Sequence, residues 1–164
     1  MAQPHVIRLR GPWELEALAR ELPAGDGRPV RLGLDLPTAC RVQVPGDWRE
    51  PLGADFCGRA RYLRRFNRPT NLDPHERVWL VLEGVDHRAS VALNGLAVGV
   101  VEGYQAPCRF DITFLLEPHN GLAVEVSLPA AVFHDPALRP GRAGLAGGLI
   151  GEVRLEIGPG EPPR

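Results

Sequence analysis

From Ser90 to Val101 apolar and polar residues alternate on both sides of Asn94-Gly95, a dipeptide whose easy positive φ suits a two-residue hairpin turn. Two paired strands are therefore predicted, with Asn94-Gly95 at their tip. Just before them, Val78 to Leu82 is a compact apolar run of strand formers that breaks at Gly84. Just after them, Glu102-Gly103-Tyr104-Gln105-Ala106-Pro107 reads as an irregular loop, because Pro107 has no N–H for a sheet ladder; Phe110 to Phe114 then resumes a strand.

The same reading extends along the chain. Val6 to Leu9 forms a short first strand, and Gly11-Pro12 opens a helical turn, since proline at the first helical position sacrifices no internal hydrogen bond. Trp13, Leu15, Leu18, Ala19 and Leu22 recur at helical spacing up to Pro23 and Gly25, which predicts one short N-terminal helix capping an end of the domain. Val30 to Leu36 alternates as a half-buried strand, and Val42 and Val44 end another before the Pro45-Gly46 turn. Arg61 to Phe66 and Val78 to Leu82 read as neighbouring strands joined by the loop Asn67 to Glu76. Leu122, Val124, Val126 and Leu128 share one face of a strand, as do Val153, Leu155 and Ile157 of the last one, opposite Glu152, Arg154 and Glu156. Between these two strands, Pro129 to Gly148 is a long irregular segment of the kind that is functional or disordered in compact domains.

Composition narrows this to one domain. A chain of 164 residues buries a real core but is too short for a sandwich plus a barrel of about 250 residues. With 44% hydrophobic residues, 19 Gly and 17 Pro, many turns separate apolar strands, so the expected class is all-β over residues 1–157, followed by a fraying Pro/Gly tail at 158–164. A net charge of −1 supplies no basic stripe for nucleic acid. All the basic residues are Arg, which reflects coding bias more readily than function; in the one dense run Arg59, Arg61 and Arg65 share one strand face and Arg64 lies on the other with Tyr62 and Phe66, which reads as a solvated face rather than a nucleic-acid site. Cys40, Cys57 and Cys108 are odd in number and lack C-x-x-C spacing; they are expected as small buried hydrophobes, not disulfide or zinc partners. No stretch approaches a membrane span and no signal peptide is visible, so the default location is cytoplasmic, although a start site placed too far downstream would hide a leader.

Candidate chemistry is sparse. Glycoside hydrolysis needs two carboxyl groups held across the scissile bond, and no acidic motif supplies such a pair, so the chain is not expected to be an enzyme. His5, His75, His87, His119 and His134 are scattered without metal-ligand spacing, no G-x-S-x-G elbow exists, and no cofactor motif is present. A calcium ion held by loop oxygens stays open. Trp48, after the Pro45-Gly46 turn, could stack on a sugar ring or plug the domain edge.

The run EGVDHRASVALNG, then VG, then EGYQAP followed by RFDIT, resembles the sugar-binding N-terminal domain of glycoside hydrolase family 2, the family of β-galactosidases, β-glucuronidases and β-mannosidases. PGDW at Pro45 to Trp48, GRARYLRRF at Gly58 to Phe66 and GGLIGEVRLEI at Gly147 to Ile157 extend the resemblance co-linearly over roughly residues 40 to 157. It implies a jelly-roll β-sandwich of the galactose-binding type, non-catalytic by itself, whose partners would be a carbohydrate ligand and a chain carrying the catalytic barrel. It also implies that the PGDW segment is a structural corner, which favours the plug for Trp48. The alternative is a structural or protein-interaction sandwich with no sugar site.

Sugar recognition needs polar side chains for hydroxyls beside an aromatic face. Asp86 and His87 before the hairpin, and Glu102, Tyr104 and Gln105 after it, offer these groups, and the two segments should meet because both border the same hairpin. Phe133-His134-Asp135 resembles an FHD segment of β-glucuronidase-like members, which adds His134 and Asp135 to the candidates, with a longer spacing to the final glycines than in the family. The competing reading makes Tyr104 a core residue and Glu102 merely solvated, and the residues favour it.

Overall fold

The strand His119–Leu128 shows how the core forms: Leu122, Val124, Val126 and Leu128 are fully buried while the residues between them face outward. Each such aliphatic side chain contributes about 1.5–3 kcal/mol on leaving water, so this one face outweighs any set of exposed polar contacts on the other. The structure is a computed structural model that describes residues 3–22, 31–33 and 35–160. Its strands in chain order are β1 His5–Arg8, β2 Trp13–Leu22, β3 Arg31–Gly33, β4 Cys40–Val42, β5 Gly58–Asn67, β6 Glu76–Leu82, β7 Arg88–Leu93, β8 Leu96–Glu102, β9 Cys108–Asp111, β10 His119–Leu128 and β11 Val153–Pro159.

Two antiparallel sheets face one another across the core. The smaller runs β1-β11-β6-β9; the larger runs β3-β2-β5-β10-β7-β8, with β4 also paired to β2. Val78, Leu80 and Leu82 of β6 and Val153 and Leu155 of β11 meet Ala60 and Tyr62 of β5, Val91 and Leu93 of β7 and the inner face of β10. The fold is thus the expected all-β sandwich. Among the described residues, α-helices are limited to single turns, α1 Arg49–Leu52 and α2 Ala130–Phe133, and no helix is long and apolar enough to cross a membrane.

The N-terminal helix is not there. Trp13 to Leu22 is a strand, and the Gly11–Pro12 peptide leads into it. Two periodicities coexist in this segment: the helical one, and an alternation that buries Trp13, Leu15, Ala17 and Ala19. Its Leu, Ala and Glu content favours helix, but propensity is a weak prior that tertiary context overrides. Here β5 pairs along one edge and β3 and β4 along the other, so the backbone groups are satisfied as sheet, with a bulge between Ala17 and Ala19.

Smaller corrections follow the same logic. β5 and β6 are consecutive but lie in different sheets, so the loop between them crosses the sandwich. β9 stops at Asp111, because the Asp111 carboxylate accepts from the Thr113 N–H at 3.0 Å and starts a 3-10 turn over Thr113–Leu115. β11 continues through Gly158 and Pro159, where a loose tail was expected, since both pair with β6. Of the strand expected over Val30 to Leu36, the backbone of Arg31–Gly33 is β3; Val30 and Leu34, like Pro23, Gly25 and residues 161–164, lie outside the described residues.

Trp48 is fully buried and meets Phe56 edge-on at 5.2 Å, a plug with no face for a sugar. Cys57 is buried as expected, whereas Cys40 and Cys108 are half-buried, and all three thiols are free. Burial, with Glu21 and Asp55 nearby, pushes the Cys57 thiol up to about 11.

Candidate functional site

Backbone pairing brings the two expected segments together. Beyond the Arg88–Glu102 register pair, the Val85 N–H donates to the Gly103 carbonyl at 3.0 Å and the Gly103 N–H to the His87 carbonyl at 2.9 Å. Gly84 makes this approach sterically possible: a Cβ there would sit 2.7 Å from the Cα and Cβ of Tyr104. The third side of the site is the connection from Pro129 to Gly148, which returns to Asp86 through reciprocal backbone bonds between Asp86 and Gly148 at 2.9 and 3.0 Å.

Together these segments enclose a cavity of about 310 Å³ lined by His87, Arg88, Glu102, Gly103, Tyr104, Gln105, Leu138 and Pro140. Four of the expected residues, His87, Glu102, Tyr104 and Gln105, therefore share one cleft. Asp86 lies below it, fully buried. His134 and Asp135 do not line it: the His134 ring meets Phe133 edge-on at 5.1 Å, and Asp135 accepts from the Ala137 N–H at 3.0 Å to cap the 3-10 turn over Pro136–Leu138. Leu138 and Pro140, which do line it, carry no sequence signal, because only the folded path of the long connection places them there.

Asp86 is a structural hub. Its Oδ1 accepts from Arg139 Nε at 3.2 Å, and its Oδ2 from Arg139 Nη2 at 2.6 Å and Arg142 Nε at 2.7 Å. The Arg139 and Arg142 forks also donate to the carbonyls of Leu145 and Ala146, so one carboxylate and two backbone oxygens hold both guanidinium groups. Arg139 is as buried as Asp86 and its guanidinium lies 5.0 Å from the Phe133 ring centroid. Neither arginine stood out in the sequence, since nothing there shows that Asp86 is removed from water and must be paired.

Tyr104 is half-buried, with its hydroxyl donating to the Pro140 carbonyl at 2.7 Å and the Arg142 guanidinium 5.9 Å from its ring centroid. Burial, with a further push from the Asp86 charge that Arg142 and Arg139 oppose, raises its phenol pKa, so it serves as a neutral donor and apolar wall. The cavity thus offers an aromatic edge, an imidazole, a carboxamide and the exposed Arg88–Glu102 pair at 3.5 Å. That is a set for hydrogen bonding. It holds no pair of opposed carboxyl groups for glycoside cleavage, because Asp86 is consumed by its arginines. Among the described residues no three His, Cys, Asp or Glu side chains gather as a metal site.

A sandwich of two antiparallel sheets with these hairpin and loop features is of the galactose-binding-like class. Residues 53–140 match the family model described as glycosyl hydrolase 2 galactose-binding domain-like, and the chain belongs to that family. It is 29% identical over 122 residues to a β-galactosidase of Aeromonas hydrophila, covering 73% of this chain and 11% of that protein. It is 39% identical over 74 residues to a β-galactosidase large subunit of Latilactobacillus sakei, covering 44% of this chain and 12% of that one. Among solved structures, the FMN-binding β-glucuronidase of Faecalibacterium prausnitzii L2-6 superposes with a TM-score of 0.68 at 25% identity, over 97% of this chain and 23% of its own. A Bifidobacterium dentium β-glucuronidase complexed with coumarin-3-O-glucuronide superposes with a TM-score of 0.69 at 24% identity, over 98% and 31%, a likeness of fold. The chain therefore spans about a tenth of the curated relatives it matches, corresponding to one domain of larger family 2 enzymes, and the described residues contain no catalytic barrel.

Proposed function

We propose that this domain is the non-catalytic carbohydrate-recognition part of a family 2 glycoside hydrolase, acting beside a catalytic barrel in the same or a partner chain. The cavity beside Tyr104 carries the reading: Tyr104, Gln105, His87 and Glu102, drawn from two segments, converge on a space of about 310 Å³, within the size range of small-ligand sites. The relatives named as β-galactosidases and β-glucuronidases support a saccharide as the occupant.

One observation favours the other reading, a sandwich that only supports its neighbours. The Tyr104 hydroxyl is already spent on Pro140, as a strut would be. Saturation-transfer NMR and calorimetry with galactose, glucuronic acid and mannose oligosaccharides separate the two. Recognition predicts saturable binding that Tyr104→Ala and Gln105→Ala weaken while the fold stays intact; no binding at millimolar sugar leaves the supporting role. On either reading the 164-residue chain by itself does not turn over nitrophenyl galactoside, glucuronide or mannoside, and turnover abolished by one Asp or Glu substitution would overturn the non-catalytic assignment.

A further inference from the structure

Five strands have a neighbour on one edge only among the described residues, and four of them are blunted. β1, β3, β4 and β9 have three or four residues each, and every one of them carries a charge: Arg8, Arg31, Arg41, and Arg109 with Asp111. Short length and charge are what keep a sheet edge from pairing with another chain. β8 has neither. It runs for seven residues, its first six, Leu96 to Val101, are uncharged, none is proline, and Leu96, Ala97 and Val100 are exposed. Its one irregularity lies opposite Val91 and Ala92, near the hairpin tip, and leaves Gly99 to Glu102 in regular register with β7.

Half of the β8 backbone is unused. The Gly103 N–H bonds the His87 carbonyl at 2.9 Å, so by the alternation of an antiparallel ladder Val101 and Gly99 face Ala89 and Val91 of β7, while the N–H and C=O groups of Val100 and Glu102 point out of the sheet. Among the described residues no backbone bond from 96–102 reaches a segment other than β7. The core side of this edge is closed, because Gly99 leaves room for the Phe110 ring of β9, 2.5 Å from where a Cβ would sit. What stays open is a ladder rather than a pocket, and a ladder is completed by another strand.

We propose that β8 pairs antiparallel with β8 of a second copy of this chain about a two-fold axis, joining the larger sheets of the two copies. Such an edge calls for a partner strand of similar length, uncharged and free of proline, and among the described strands with an open edge β8 itself is the one that fits. A two-fold axis makes the donors and acceptors of one edge the complement of the same edge in the other copy, and it uses both edges up, so assembly stops at two. Antiparallel direction also carries the two Glu102 carboxylates toward opposite ends of the ladder, whereas parallel pairing sets like charges side by side. One ladder is small beside the about 1,600 Å² of a stable complex, so monomer and dimer are expected to exchange. The inference rests on the edge of β8 and stands whether or not the Tyr104 cavity binds sugar.

The test is sedimentation velocity of the 164-residue chain from about 1 µM to about 1 mM, with amide hydrogen exchange read by NMR toward both ends of that range. A monomer–dimer equilibrium is expected, in which the Val100 and Glu102 amides are protected at high concentration and exchange freely at low, while Val101, bonded within the hairpin, is protected at both. Val100→Pro removes an outward N–H and no bond to β7, and Val100→Lys brings a like charge from each copy into the ladder; either should weaken dimerisation at least about tenfold. Leu145→Lys, at a comparably exposed leucine of the long connection, should leave it unchanged. If Val100→Pro does not fold, Val100→Lys, at a side chain that is already exposed, carries the comparison. The proposal is overturned by a chain that stays monomeric to the highest concentration, by a dimer that Val100→Lys weakens no more than Leu145→Lys does, by a dimer whose Val100 and Glu102 amides exchange freely, or by species that grow beyond two copies.

Discussion

The turn at Asn94-Gly95 and the connection from Pro129 to Gly148 both join strands of this sandwich, yet they are held by opposite means. The turn is specified almost within itself: Asn94 and Gly95 have φ values of 53° and 81°, which the twist of β7 and β8 demands of a two-residue link. Asn94 then adds bonds from its side chain to Leu115, Asn120 and Gly121. The long connection has only α2 and one 3-10 turn of its own, and it is fastened by Arg139 and Arg142 to a carboxylate 53 and 56 positions earlier in the chain. A defect in the first is local backbone strain. A defect in the second strands a buried charge.

The largest effect should therefore come from Asp86→Ala, which leaves Arg139 buried without its counter-ion at a cost of about 3–5 kcal/mol. Urea unfolding should show a correspondingly lower midpoint, and the double variant Asp86→Ala/Arg139→Leu should recover much of the loss; an Asp86→Ala midpoint equal to wild type would mean the buried cluster does not hold the connection. Gly95→Val should cost about 1–3 kcal/mol, because a β-branched residue resists positive φ even though no atom lies within 4 Å of the added Cβ. If Gly95→Val proved the more damaging of the two, the contrast between local strain and buried charge would be broken. Tyr104→Phe should cost about 0.5–1.5 kcal/mol, the net worth of the bond to Pro140, and hydrogen exchange should rise in the connection before it rises in β10. Uniform exchange across both would show that Tyr104 does not support the loop.

The same contrast explains what the sequence disclosed. The β7–β8 hairpin, β10 and the apolar face of β11 were legible because their determinants lie within a few residues: an Asn-Gly pair, or alternation with period two. The meeting of Glu83 to Arg88 with Glu102 to Pro107 followed from that hairpin. The segment Trp13 to Leu22 was misread because it satisfies both periods, and the choice is made by β3, β4 and β5, which lie elsewhere in the chain. Asp86 looked like a surface ligand group, since nothing local reveals that Arg139 and Arg142 close over it. His134 and Asp135 are adjacent to the right segment but are turned to other tasks, the packing of Phe133 and the cap of a 3-10 turn. Strand alternation put Arg59, Arg61 and Arg65 on one face of β5 and Arg64 on the other, whereas the pairing of Arg59 with Glu125 and of Arg61 with Glu16 depends on strands elsewhere in the chain.

The smallest effect sharpens the comparison by repeating the ion-pair chemistry of Asp86 in water. Arg59 and Glu125 meet diagonally across β5 and β10 at 3.0 Å, a distance close to those at Asp86, but their side chains are 53% and 35% exposed where Asp86 and Arg139 are at 0%. Solvent screens the attraction of such a pair and side-chain entropy opposes it, so exposed pairs are worth only about 0.2–1 kcal/mol. A double-mutant cycle on Arg59→Ala and Glu125→Ala should return a coupling in that range, shrinking further in half-molar salt as the screening length shortens. The corresponding cycle on Asp86 and Arg139 should be several-fold larger and nearly insensitive to salt. Equal couplings, or equal salt sensitivity, would mean that burial is not what separates the two regions, and that the long connection is fastened by its packing rather than by its charges.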